Sequence, residues 1–193
     1  MHAMAHILLQ GFENRYNSYG RYPGSLIAGR RAAASSPPSR HILAAFTKAT
    51  NGVRGQIYDL LGKLDVIVTT GFSGTQDQWY ETLGDHRLVL CPRGNGLDTH
   101  RVWETLYVGR IPVVAASAMD AVFERLPVII LGSWDELSNT AVLAQGESAI
   151  IAGMTNGAFD LRRLRLEYYA CLIMAAVGRV TPGALALNFS CGF

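Results

Sequence analysis

The chain has 193 residues, 49% hydrophobic and 17% charged, enough for a sizeable buried core and too apolar for a disordered chain. Seventeen Lys and Arg against fifteen Asp and Glu leave a formal charge of +2, so nucleic-acid binding through the overall field is excluded and any anion site must be local. Cys91, Cys171 and Cys191 include no CxxC pair, which argues against a disulfide framework or zinc cluster and favours buried free thiols.

The opening MHAMAHILLQ has no basic n-region and is too short to span a bilayer, so a soluble, cytoplasmic chain is expected. Residues 1–40 read as a poorly structured lead-in. Met1 to Gln10 allows a short helix, and Gly20 to Arg40 is a Gly-, Ser-, Pro- and Arg-rich loop without sustained periodicity. A single domain is expected over 41–178, with a tail over 179–193.

Within that domain, His41 to Phe46 is a short apolar run read as a strand. Thr50 or Asn51 caps a helix with Ile57, Leu60 and Leu61 on one face, stopping at Gly62. The β-branched stretch Asp65 to Thr69 is a second strand. Asp77 to Leu83 is a brief helix ended by Gly84, with Trp79, Tyr80 and Leu83 inward, and Arg87 to Cys91 is a third strand. Further on, Ile111 to Ala115 and Pro127 to Leu131 are strands, Pro112 sitting near a strand start where a missing N–H is tolerated. Ala118 to Arg125 supplies one or two helical turns between them. Ser133 and Glu136 form a capping box opening a helix through Leu137. Gly146 to Gly157 reads as a loop, after which Asp160 caps a longer helix with Leu161, Leu164, Tyr168 and Leu172 inward. Strands alternating with helices, several of the strands continuously apolar, predict a Rossmann-like doubly wound α/β domain with a parallel sheet.

Several kinds of chemistry converge between Cys91 and Val114, CPRGNGLDTHRVWETLYVGRIPVV. In doubly wound sheets ligands sit beyond the carboxyl ends of strands, where strand turns into helix. Gly94 and Gly96 flank Asn95 in that turn and let main chain approach a ligand. A helix starting near Asp98 or Thr99, with Asp98 as the expected N-cap, directs its free N–H groups and positive dipole end toward the turn. Arg93 and Arg101 add forked donors suited to phosphate oxygens. His100, Arg101 and Glu104 share one rim of the helix, where Glu104 can accept ribose hydroxyls and His100 is either a ligand contact or a solvated residue. Val102, Trp103 and Leu106 face the core, and Gly109 closes the helix. The third glycine of GxGxxG and any GK[ST] are missing, so neither a nicotinamide site nor a P-loop is indicated.

This block, followed by FERLPVIILGSWDEL, resembles the C-terminal domain of the exostosin-like glycosyltransferases (family 47 and relatives), whose pattern is PRGNGxDxxRxWExLxxGxIPxV. A looser similarity runs from Ile42 to Ile173. The resemblance implies the C-terminal, donor-binding half of a GT-B glycosyltransferase. Its donor would be a nucleotide diphosphate-sugar, usually UDP-linked, and its acceptor a glycan or other hydroxyl. It places Arg93 and Arg101 on the diphosphate, Glu104 on the ribose, and Gly94, Asn95 and Gly96 in the close-approach turn. It further implies inverting transfer without an obligatory metal, in keeping with a sequence that has no DxD, HExxH or Cys/His cluster. About forty residues precede the domain, fewer than an acceptor-binding lobe needs. The expectation is therefore an enzyme completed by a separate acceptor lobe, or a nucleotide-sugar-binding module without turnover, with the catalytic base unassigned. As part of a longer family member, the chain would be expected in the Golgi lumen.

Overall fold

Apolar runs with no polar face pair as strands buried on both sides. The computed structural model describes residues 23–62, 64, 68–165, 168–169 and 171–172. Its five strands are β1 (Arg40–Ala44), β2 (Val68–Thr70), β3 (His86–Leu90), β4 (Ile111–Ala115) and β5 (Ile129–Leu131). They form one all-parallel sheet in the order β2-β1-β3-β4-β5.

Successive side chains along each strand point to opposite faces. Leu43, Val89 and Val114 enter one apolar core, where they meet helices α1 (Pro23–Ser35), α3 (Gln76–Asp85), α4 (His100–Val108) and α5 (Asp120–Phe123). Ile42, Leu88, Leu90 and Val113 enter the other, against α2 (Gly52–Leu61) and α6 (Thr140–Asn156). The sheet is thus flanked by helices on both faces, an arrangement compatible with a Rossmann-like fold. From β1 the chain crosses by α2 to β2 at the sheet edge. It returns by α3, on the opposite face, to β3 and then proceeds through β4 to β5. Its direction of travel therefore reverses between β1 and β3, which opens a crevice at the carboxyl ends of those strands.

Several readings of the sequence are corrected. Much of the expected loop from Gly20 to Arg40 is the 13-residue helix α1, with Leu26 and Ala33 buried in the first core. Its Ala-rich sequence carries helix propensity but little amphipathic signal. The expected loop from Gly146 to Gly157 is mostly helix, since α6 runs 17 residues to Asn156. Apolar and small residues surround it on all sides, and Gly146 lets Ile129 of β5 approach so closely that an added Cβ would lie 3.0 Å from it. Gly84, taken as a stop signal, lies inside α3. Ser133 and Asp160 each open a short 3-10 turn, at Trp134–Ser138 and Leu161–Leu164, and Leu161 is exposed. Cys171 is disulfide-bonded, so the reading of free thiols holds for Cys91, which is buried. The short helix read over Met1 to Gln10, the tail over 179–193 and the first residues of the second predicted strand lie outside the described residues. No helix among the described residues is long and apolar enough to cross a membrane.

Two helical glycines give opposite expectations. A Cβ on Gly29 of α1 would lie 2.6 Å from Tyr80 Cβ of α3, whereas one on Gly55 of α2 meets nothing within 4 Å. Gly29→Ala must push two helices apart and should destabilise by about 1–3 kcal/mol. Gly55→Ala should stabilise by roughly 0.5–1 kcal/mol, through helix propensity alone. Urea denaturation of the two variants checks the contrast, and equal effects would contradict the close packing of α1 on α3.

Candidate functional site

The site begins at the first turn of α2. Asn51 caps that helix by accepting from the Val53 N–H through Oδ1, while its Nδ2 donates to the Gly94 carbonyl at 3.2 Å. One turn on, Arg54 lies on the inward stripe with Ile57 and Leu61. Its Nε donates to Arg93 O at 2.9 Å, one terminal nitrogen to Pro92 O at 3.3 Å, and the other to Thr47 O at 3.3 Å. Asn51 and Arg54 together hold three successive carbonyls of the turn after β3. Arg54 also ties that turn to the segment leaving β1. Arg54 is 7% exposed, and its guanidinium centre lies 5.7 Å from the Phe46 ring. Burial, and then the charge of Arg101, push it below its ordinary pKa. No carboxylate among the described residues stands within ion-pair distance of Arg54 or Arg101.

Above this joint lies a cavity of about 920 Å³, bounded by the segments that follow β1, β2 and β3. Of the sequence-predicted residues, Gly94, Asn95, Gly96, His100, Arg101 and Glu104 line it together. Arg93 does not. Its side chain is exposed and donates to the Asn95 carbonyl at 3.2 Å. Neither Gly94 nor Gly96 has a positive φ, and an added Cβ on Gly94 would meet Arg54 and Thr50 at ordinary contact distance. Glycine there is not imposed by backbone conformation.

Helix α4 fits the sequence reading at its core face, with Val102, Trp103 and Leu106 buried, and Gly109 closes it at a φ of 83°. Its start differs from expectation. Thr99, not Asp98, is the N-cap, and it offers no side-chain cap bond. Asp98 Oδ1 instead accepts from Trp103 Nε1 at 2.8 Å. Asp98 Oδ2, Thr99 Oγ1, His100 Nδ1 and Arg101 Nε are each shielded from solvent without a hydrogen-bond partner. Four consecutive residues thus bring unsatisfied polar atoms to the wall of one cavity, where groups of this kind are ordinarily paired.

Glu104 is buried and accepts from Trp79 Nε1 at 2.9 Å. The Arg101 guanidinium lies 5.5 Å from the Trp79 ring centre, and Phe72 meets that indole edge-on at 5.1 Å. Glu104 lines the cavity beside this indole. Cys91, at the end of β3, is not a nucleophile, because burial pushes its thiol up to about 12. No group of three or more His, Cys, Asp or Glu suited to a metal ion occurs among the described residues.

The residues missed in the sequence are Arg54, Asn51 as a tether, Trp79 as the partner of Glu104, and Phe72. Arg54 carried a readable signal: a cation three residues before Ile57 on an inward helix stripe needs a buried purpose.

Arg54→Ala should lower stability by about 2–4 kcal/mol, because it leaves the Thr47, Pro92 and Arg93 carbonyls without their donor. Arg54→Lys should recover only part of this, lacking the planar fork. Equilibrium urea unfolding measures both. Asp98 supplies a second test. Burial pushes its carboxyl above the usual range, against the pull of the Trp103 bond. Ionising it therefore costs the folded state more than the unfolded one. That cost is absent below the ordinary aspartate value, about 3.9, and grows as pH rises through the higher folded value. Asp98→Asn should gain on wild type in Tm as pH rises above about 4, and a pH-independent difference would rule the burial effect out.

No protein-family model matches the chain, and no curated protein matches it.

Proposed function

We propose that the cavity binds the diphosphate and ribose of a nucleotide-sugar, probe ligands being UDP and UDP-sugars. In this reading the chain is the donor-binding half of a GT-B glycosyltransferase that moves the sugar to a hydroxyl acceptor. The observation carrying it is the pair of guanidiniums at one cavity, neither within ion-pair distance of a carboxylate among the described residues. A bound anion would complement them. Arg101 and the N–H groups at the start of α4 offer direct donors. Arg54, with its donors committed to carbonyls, contributes its field. Glu104, one turn along α4, lines the same cavity and is the carboxylate we assign to the ribose hydroxyls. In transfer, the acceptor hydroxyl oxygen would bond to the anomeric carbon as the bond to the diphosphate breaks, its proton passing to a base that this reading places on the separate acceptor lobe. Arg101 and the helix start would stabilise the negative charge accumulating on the leaving group. Arg93 takes no part in this arrangement.

Isothermal titration with UDP and UDP-sugars tests the reading. Arg101→Ala should weaken binding about 10- to 100-fold, the loss expected for charge-assisted bonds. Glu104→Gln, which can still accept from Trp79, should weaken it about 10-fold by replacing one charged acceptor. Folded wild-type protein that binds neither ligand would refute the assignment. Incubation with UDP-sugar and hydroxyl acceptors then separates a transferase from a module without turnover.

A further inference from the structure

We infer that Phe72 is the stacking platform for the nucleobase, so that the loop after β2 supplies base recognition to a site whose phosphate end lies after β3. This rests on the nucleotide-sugar reading above. Phe72 stands just beyond β2 and lines the cavity while remaining 39% exposed. Every other aromatic lining the cavity is buried: Phe46 lies under Arg54, and Trp79 is fixed by its bond to Glu104. Phe72 packs against Trp79 at an interplanar angle of 60°. Edge contact fixes the attitude of a ring without covering both faces. A rigid, partly uncovered ring beside a polar cavity suits a flat, weakly polar ligand group.

The arrangement around Trp79 narrows that group. Arg101 lies over its ring, Glu104 accepts from its indole N–H, and Phe72 meets it edge-on. A nucleoside diphosphate carries an anionic end, a hydroxyl-bearing ribose and a flat base, one kind of group for each. The sheet gives a matching scale: β2 and β3 flank β1, so their ends are about 10 Å apart at two strand spacings, the span from a diphosphate to its base. Base–aromatic stacking tolerates any base, since each has a π-face. The platform therefore supplies affinity for the nucleoside and leaves base identity to other contacts.

The test titrates UDP and inorganic pyrophosphate against wild type, Phe72→Ala, Phe72→Leu and Phe72→Tyr, with Tm confirming that each variant folds. UDP is chosen because it has no donor sugar that could account for a loss. Phe72→Ala and Phe72→Leu should bind UDP about 5- to 150-fold more weakly than wild type, with pyrophosphate affinity unchanged and Phe72→Tyr close to wild type. Leucine fills the space against Trp79 without offering a π-face, so wild-type UDP affinity in Phe72→Leu would reduce Phe72 to packing and overturn the inference. Equal loss of pyrophosphate and UDP would overturn it too, by placing the effect on Trp79 and the phosphate end. A wild-type protein that binds pyrophosphate and UDP equally well would remove the base platform and keep the anion site. Binding of neither would remove the functional reading and this inference with it.

Discussion

One guanidinium joins the two strands between which the chain reverses. Arg54 donates to Thr47 beyond β1 and to Pro92 and Arg93 beyond β3, and Asn51 adds Gly94. These residues are about forty positions apart in sequence, and the turn after β3 belongs to no helix or strand. Backbone carbonyls in such a turn must find donors or face solvent. Arginine meets the need because its planar fork reaches several acceptors at once. The consequence is a buried positive charge, held by carbonyl dipoles rather than by a carboxylate. Everything above it inherits that potential.

A buried charge without a counter-ion is normally selected against, as are unsatisfied polar atoms. The described residues concentrate both at one place: Arg54 beneath the cavity, and unpaired atoms on Asp98, Thr99, His100 and Arg101 along its wall. Away from the cavity only His41 Nδ1 and Arg163 Nε are left unpaired among the described residues. Arg110, half-buried, donates to the carbonyls of Gly84 and Ala33, and Asp160 is closed off by Arg162. The unpaired atoms therefore gather at the cavity, and in the proposed reading a ligand would satisfy them. Strain of this kind gathers where binding a ligand relieves it.

How much of this was legible in the sequence depended on whether the cause was local. The helix α4, its buried face and its glycine stop follow from a short periodic stretch, and five strands were readable as apolar runs of the right length. The cavity-lining set from Gly94 to Glu104 is contiguous and was found for that reason, Arg93 excepted. Its side chain is exposed and donates to the Asn95 carbonyl instead, a choice no spacing rule expresses. Helix α6 escaped because periodicity needs a polar face for contrast, and its exposed positions Ile151 and Met154 are as apolar as its buried ones. Helix α1 escaped because alanine and arginine carry propensity without pattern. Asp98 was misplaced because the helix begins one residue later, at a Thr99 N-cap without a side-chain cap bond, while the Asp98 carboxylate goes to the Trp103 indole.

Three strand ends contribute to the cavity, and they contribute different physics. The segment after β3 brings cationic and hydrogen-bonding groups at a helix start, the segment after β1 brings the carbonyl that anchors Arg54, and the segment after β2 brings an aromatic ring. Only a sheet whose order places β1 between β2 and β3 sets these side by side, and only the reversal at β1 leaves room above it. The phosphate end is fixed by a buried joint whose removal would unsettle two strands. The aromatic end stands on an exposed loop tied to the rest through one edge contact and a capping box at Thr75. On the proposed reading, anion affinity would be bound up with folding, while recognition of the attached organic group would not. The loop after β2 could change without disturbing the anion site, which would make it the part of the cavity where specificity diverges.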